Sequence, residues 1–358
     1  MTDSASGVRE FEDADRFSST KLEGIARRIL IGAGTSEAIA GEVSGLLAWS
    51  ERIGHPSHGL LRLRPYVERI RDGRLVPNAT ASIAKETAGM ALLDGHWGFG
   101  QVTAREAVDA AVGKARSEGV AVTGAYNINH IGRLGDFTEM CARHGLVAIL
   151  MVGGAPTGMQ GNVAPFGGRA PIWGTNPIAI AVPAGEEIFS LDFATSEIAG
   201  GKAAAARARG ESLEGDFLID TAGRPSRDPW DLEKGGAIRP FGGHKGYALA
   251  FAVELLAGAM VGSLAPEIDP GKLHNGLLLV AIDPGALGDA ERFQASALAI
   301  IDAVRTSPPA EGFAEVLVPG DPESRRRVIS DESGIFVPPA LREDLSLLGS
   351  ELGVDISW

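Results

Sequence analysis

The apolar residues of this chain change their period near residue 80, and that change limits what the chain can fold into. Before it they recur at helical spacing, as in Leu22, Ile25, Ile29 and Leu30 after Ser19. Thr35-Ser36-Glu37 opens a second helix ending near Gly54. A third is expected over 57–71, with Leu60, Leu63, Val67 and Ile70 on one face and Gly73 closing it. Pro65 falls inside that pattern and predicts a bend or a restart there. Beyond residue 80, short apolar runs suited to strands (90–93, 120–125, 145–152, 177–182, 188–191 and 277–282) alternate with helical stretches at 101–117, 244–261 and 291–305. The tail, 338–352, returns to helical spacing with a polar face. At 358 residues the chain exceeds one ordinary core. The expectation is a mixed α/β fold in two domains: a helical one built from 1–80 with 306–358, and an inserted α/β domain at 81–305.

Charge narrows the partners. Acidic residues outnumber basic ones by 46 to 33, giving a net charge of −13. No nucleic-acid partner and no membrane surface is expected, since both call for a basic face. A few local arginines can still hold a small anion. The single cysteine, Cys141, forms no internal disulfide and no thiolate metal site by itself, which suits a reducing cytoplasm. Met1 to Phe11 is polar and acidic, unlike a signal peptide. The longest apolar run, 246–262, contains Glu254 and is short for a membrane span; a buried helix is expected.

The familiar ligand motifs are absent. Gly98-Phe99-Gly100 begins like a dinucleotide fingerprint, but the third small position is Thr103 and the next strand ends at Tyr126-Asn127 without an acid. Both are needed, one for helix–strand contact and one for the ribose, so a tight turn before a helix is the reading. No phosphate loop, zinc-protease helix or nucleophile elbow occurs. What remains is four polar junctions at glycines: Arg52 to Gly59, Tyr126 to Arg133, Leu191 to Ser196, and Phe241 to Gly246. Strand ends and helix starts of this kind expose backbone N–H groups that hold anions.

Together these junctions resemble the malate/L-lactate dehydrogenase family, whose nicotinamide-binding fold is not a Rossmann fold. The resemblance runs through Ser57-His58-Gly59, Asn129-His130-Ile131-Gly132-Arg133, Gly174-Thr175-Asn176-Pro177, Asp192-Phe193-Ala194-Thr195-Ser196, His244-Lys245-Gly246-Tyr247 and Pro319-Gly320. Within the family it is similar to the hydroxycarboxylate dehydrogenase B branch, through Leu93-Asp94-Gly95 and Phe99-Gly100-Gln101-Val102 among others. It implies a homodimer without metal, acting on a small 2-oxo or 2-hydroxy acid with NAD; NADP stays open. It also implies that the helical domain serves dimerisation and substrate, and the inserted domain the cofactor.

By that resemblance His58 is the proton donor, aided by Ser57 and Asp192, while His130 is the rival donor or a substrate contact. A histidine suits this step because its pKa lies near neutrality. The plain alternatives are a helix cap at Ser57 and a turn aspartate at Asp192. Arg62, one turn after His58, can grip a carboxylate with two parallel bonds, or be a solvated arginine as Arg64 and Arg69 are expected to be. The cofactor would be held by His58, Gly132, Arg133, Leu134, Ser190, Leu191, Asp192, Phe193, Ala194, His244, Lys245, Asn275, Gly320, Asp321, Pro322 and Glu323. Arg133 would pair with its pyrophosphate. Arg325, Arg326 and Arg327 either greet a 2′-phosphate or form a solvated run. The loop 154–168 is the expected lining of the substrate pocket. Two readings stand beside the hydroxy-acid one: a cyclic-imine reductase acting on piperideine- or pyrroline-2-carboxylate, and a non-catalytic small-acid binding protein.

Overall fold

A computed structural model of the protein describes residues 15–154, 161–263 and 275–358. Two compact units are present. The first is made of the described part of Met1–Asn78, with Val182–Leu191 and Pro284–Trp358; the second of the described parts of Ala79–Ala181 and Asp192–Asp283.

The first unit is mainly helical. Its helices are α1 (Ser19–Gly32), α2 (Glu37–Arg52), α3 (Leu63–Arg71), α8 (Ala290–Arg305), α9 (Asp321–Ser333) and α10 (Pro339–Glu351). Ser18 caps α1 by accepting from Lys21 N. The faces predicted by period are buried, with Leu22, Ile25, Ile29, Leu30, Val43 and Leu47 at 1% exposure or less. Leu345 and Leu348 of α10 join that core. A short antiparallel pair, β1 (Arg16–Phe17) with β12 (Ile335–Phe336), ties the two ends of the unit. The expected boundary at 306 differs from the observed one at Pro284. Helix α8 belongs to the first unit because its Ile301 packs against Ala184 and Val318.

The second unit carries the mixed sheet. Its strands are β2 (Ser82–Glu86), β3 (Met90–Asp94), β4 (Val120–Ile128), β5 (Val147–Gly153), β6 (Ile178–Ala184), β7 (Glu187–Phe193) and β11 (Asn275–Ile282), in the order β2-β3-β4-β11-β5-β6-β7. The chain passes between units within β6 and β7. Strands β3 and β4 are parallel, joined by the crossover helix α4 (Gly100–Glu118). Strand β11 lies between β4 and β5, antiparallel to both, which explains its unbroken apolar run. The remaining elements are α5 (Gly135–Arg143), α6 (Gly200–Arg209), α7 (His244–Val253) and a small sheet of β8 (Leu218–Ile219), β9 (Pro225–Ser226) and β10 (Ala237–Ile238).

Helix α7 departs from the expected single helix over 244–261. It ends at Val253 and continues as a π-helical stretch, Glu254–Ala259. There the backbone lies directly on the sheet. A Cβ at Gly276 of β11 would sit 1.9 Å from Ala257 O, so only glycine fits. Single π-turns of this kind concentrate at functional sites.

Candidate functional site

In the first unit, α2 ends at Arg52 and the chain reverses through Gly54, at φ 88°. His55 N donates to Ser50 O at 2.8 Å, and Pro56–His58 then forms a single 3₁₀ turn. A second 3₁₀ turn, Leu60–Arg62, leads into α3. The expected helix over 57–71 is therefore broken, but at Gly59 rather than at Pro65. Pro65 sits in the first turn of α3, where no N–H is needed. Ser57 is not a helix cap: the cap position of its turn is His55, with no side-chain cap bond. Ser57 and His58 are both partly buried.

Arg62 folds back over this turn, its Nε donating to Ser57 O at 2.5 Å. Burial lowers its pKa. Among the described residues no carboxylate lies within ion-pair distance of Arg62. Its neighbour Arg64 is different. It binds Asp344 and Glu351 of α10, so it fastens α3 rather than standing solvated.

The segment Gly320 to Glu323 begins α9. Gly320 is the cap residue, at φ 100°, and Pro322 occupies the first turn. Ser190 is buried beside it, its carbonyl 3.5 Å from where a Gly320 Cβ would stand. The Asp321 carboxylate accepts from Arg305 at 2.7 Å and from Val318 N at 2.9 Å. Glu323 meets His55 at 3.0 Å, which joins α9 to the approach of the Ser57-His58-Gly59 turn. Arg325 is paired by both terminal nitrogens to Glu315, so its charge is met within the protein.

In the second unit Asp192 ends β7. Its Oδ2 accepts the Gly135 N–H at 2.8 Å, at the start of α5, and lies 3.9 Å from Arg133 Nε. Arg133 is 4% exposed and binds Asp136 at 2.8 Å and Glu139 at 3.0 Å. Burial opposes its charge, but the carboxylates of Asp136, Glu139 and Asp192 hold it firmly protonated. Two internal carboxylates, Asp136 and Glu139, thus pair with the cation expected to meet a pyrophosphate. Burial pushes Asp136 up to about 6, against the pull of Arg133.

His130 follows β4 and is partly buried. The preceding residue is fixed from two sides, for Asn129 Nδ2 donates to Trp97 O at 2.8 Å and its carbonyl accepts from Asn275 Nδ2 at 3.2 Å. The Gly95-to-Gly100 stretch is the tight turn the sequence predicts, and it is strained: His96, Trp97 and Asn127 all have positive φ. Asp94 Oδ1 secures them by accepting from His96 N and from Asn127 Nδ2. Gly132 and Leu134 lead into α5; Leu134 is its cap residue.

A second polar network links three of the motifs. Thr195 Oγ1 donates to the carbonyls of Thr175 and Asn176, at 2.9 and 3.0 Å. Asn176, itself at φ 38°, donates to Ala250 O and to Glu254 Oε2. Glu254 Oε1 accepts the Gly154 N–H at 3.2 Å. The position of Asp192-Phe193-Ala194-Thr195-Ser196 therefore depends on a buried acid in the α7 continuation. Burial raises the pKa of Glu254. Sequence reasoning missed Glu254 as a site-shaping residue, although its interruption of an apolar run was the available signal.

His244 and Lys245 open α7, both exposed, behind Gly242 and Gly243 at φ 55° and 64°. No acid lies in this first turn. A cavity of about 380 Å³ borders it, lined by Phe166, Arg169, Ile219, Arg239, Pro240 and Gly243. Residues 164–168 of the expected lining loop belong to it, whereas 155–160 lie outside the described residues. The family implies a nicotinamide dinucleotide, and these residues fit one: an exposed lysine, a helix N-terminus and close backbone approach at glycines suit its phosphates.

The sequence profile of the malate/L-lactate dehydrogenase family matches residues 17–346. The chain is 35% identical over 326 residues to the delta(1)-pyrroline-2-carboxylate/delta(1)-piperideine-2-carboxylate reductase of Pseudomonas putida, covering 89% of this chain and 92% of that protein. It is 33% identical over 332 residues to hydroxycarboxylate dehydrogenase B of Escherichia coli K12, covering 90% and 91%. Its fold resembles the structure of sulfolactate dehydrogenase from Methanocaldococcus jannaschii, with a TM-score of 0.84 and 32% identity over 95% of this chain and 98% of that one.

Proposed function

The chain belongs to the malate/L-lactate dehydrogenase family, and from that premise we propose that it interconverts 2-hydroxy acids and 2-oxo acids with a nicotinamide cofactor, His58 transferring the proton. The observation that carries this reading is Arg62. Among the described residues this partly buried guanidinium meets no carboxylate, and it bonds the carbonyl of Ser57, next to His58, which suits it to an anion. In reduction the cofactor supplies a hydride to C2 of the substrate. Arg62 grips the substrate carboxylate, which aims the 2-oxo group at the His58 imidazole. His58 protonates the developing alkoxide and takes that proton back in oxidation. Ser57 has the role of orienting the imidazole and stabilising its charged form. His130 remains the rival donor.

Lys245 and His244, exposed at the start of α7, are the proposed phosphate ligands. NAD rather than NADP is the preferred cofactor, since Arg325 is already paired with Glu315. The Pseudomonas relative favours a second reading, reduction of a cyclic imine bearing the same 2-carboxylate. Arg62 serves either substrate. A non-catalytic binding role has no such support. A homodimer, in the cytoplasm, completes the proposal; light scattering reads the dimer directly.

The test is loss of absorbance of NADH and NADPH with pyruvate, oxaloacetate, phenylpyruvate and the two cyclic imines. Turnover of the oxo acids alone supports the first reading, and of the imines alone the second. No turnover and no cofactor binding would sink both. His58→Ala is expected to lose the chemical step and His130→Ala to keep a larger share of it. The reverse order would assign the proton to His130.

A further inference from the structure

Glu51 belongs to none of the motifs, yet it is buried at the end of α2 directly beneath the Ser57-His58-Gly59 turn. Its Oε1 accepts the Leu60 N–H at 2.8 Å. A Cβ built on Gly59 would stand 2.3 Å from that oxygen and 2.5 Å from the carboxyl carbon. Gly59 has φ −95°, outside the left-handed region. The space a Cβ would need there is taken by the Glu51 carboxyl. We propose that Glu51 is a positioning residue, which sets the turn carrying His58 at its working height and makes glycine obligatory at position 59. The proposal rests on the reading of His58 as the proton-transfer group.

The geometry supports a clamp. The turn is tied to α2 at its start, where His55 N bonds Ser50 O, and at its finish, where Leu60 N bonds Glu51. His58 lies between these two ties. Arg62 closes the turn on itself through Ser57 O. The carboxyl is thus the only side-chain acceptor recorded on the Gly59–Leu60 backbone among the described residues. Burial pushes Glu51 up to about 7, against the lowering effect of the Leu60 bond. A neutral amide of the same shape can therefore take its place, keeping the acceptor oxygen.

The experiment uses the full chain with Glu51→Ala, Glu51→Gln, Gly59→Ala, the double variant E51A/G59A, and His58→Ala. One readout needs no substrate: the rate at which diethylpyrocarbonate modifies His58, followed by mass spectrometry. The other is kcat and KM for whichever oxo acid or imine of the panel turns over. Glu51→Ala is expected to change the His58 modification rate severalfold and to lower kcat by about tenfold or more, with KM altered less, because small misplacements of a reacting group are costly. Glu51→Gln is expected to stay near the parent in both. Gly59→Ala is expected to be inactive, and removing the Glu51 carboxyl in the double variant to restore part of its activity. Parent-like values in Glu51→Ala overturn the proposal, as does equal damage in Glu51→Gln or strict additivity of the two alanine changes. If Gly59→Ala does not fold, the Ala and Gln variants of Glu51 still decide. If His58→Ala keeps the chemical step, the proton-transfer reading falls, while the His58 modification rates still judge Glu51.

Discussion

Arg62 and Arg133 show how one residue type divides into two jobs. Arg133 is enclosed by Asp136 and Glu139, so its charge is used inside the protein. Arg62 bonds the Ser57 carbonyl and, among the described residues, meets no carboxylate, which is why it is the proposed anion ligand. Arg62→Ala is expected to raise KM for a 2-oxo acid by roughly tenfold to a hundredfold, the worth of a charge-assisted pair. Steady-state kinetics checks this, and an unchanged KM would remove Arg62 from the substrate site. Arg133→Met leaves the buried Asp136 and the partly buried Glu139 without their cation and is expected to destabilise the fold by about 3–5 kcal/mol. Urea denaturation reads that cost; a loss below 1 kcal/mol would contradict the buried network. The acidic–basic spacing of Arg133, Asp136 and Glu139 is visible in the sequence, but burial is not. Without burial, a first-turn arginine looks like a phosphate ligand.

At the scale of elements, α7 is the part that sequence periodicity read incompletely. A continuous helix over 244–261 was the natural expectation for an apolar run. The π-helical stretch appears because the helix must rest on β5 and β11, where Gly153 and Gly276 admit its backbone. Gly276→Ala is expected to cost about 1–3 kcal/mol by overpacking. Thermal denaturation of the variant tests it, and parent stability would show that the helix can move aside. Helix α9 is the converse. Its charged, weakly periodic sequence hid a regular helix that Gly320 and Pro322 start. Strand runs such as 120–125 and 277–282 were legible because central strands are apolar throughout. Strand β2, exposed along its length, carried no such signal.

Across the whole molecule, stability is expected to depend on pH in a definite sense. Glu51 and Asp136 are acids whose folded pKa is raised, to about 7 and about 6. The folded state keeps a proton on Glu51 between pH 4.5 and 7 that the unfolded chain has released. Its contribution to stability is full below the unfolded pKa and is lost as pH rises through the folded one. The Glu51 share of this fall is on the order of 3 kcal/mol and is absent in Glu51→Gln. Urea midpoints of parent and variant from pH 4.5 to 8 measure it; parallel profiles would reject the raised pKa. The sequence by itself determined the helical ends, the strand-rich middle and the motif set that carries the family, because periodicity and short motifs are local. Tertiary structure alone decided that α8 joins the first unit, that Arg133 is spent on Asp136 and Glu139, and that Glu51 lies under Gly59. Each of these depends on which distant side chains share a buried space, and spacing along the chain does not encode that.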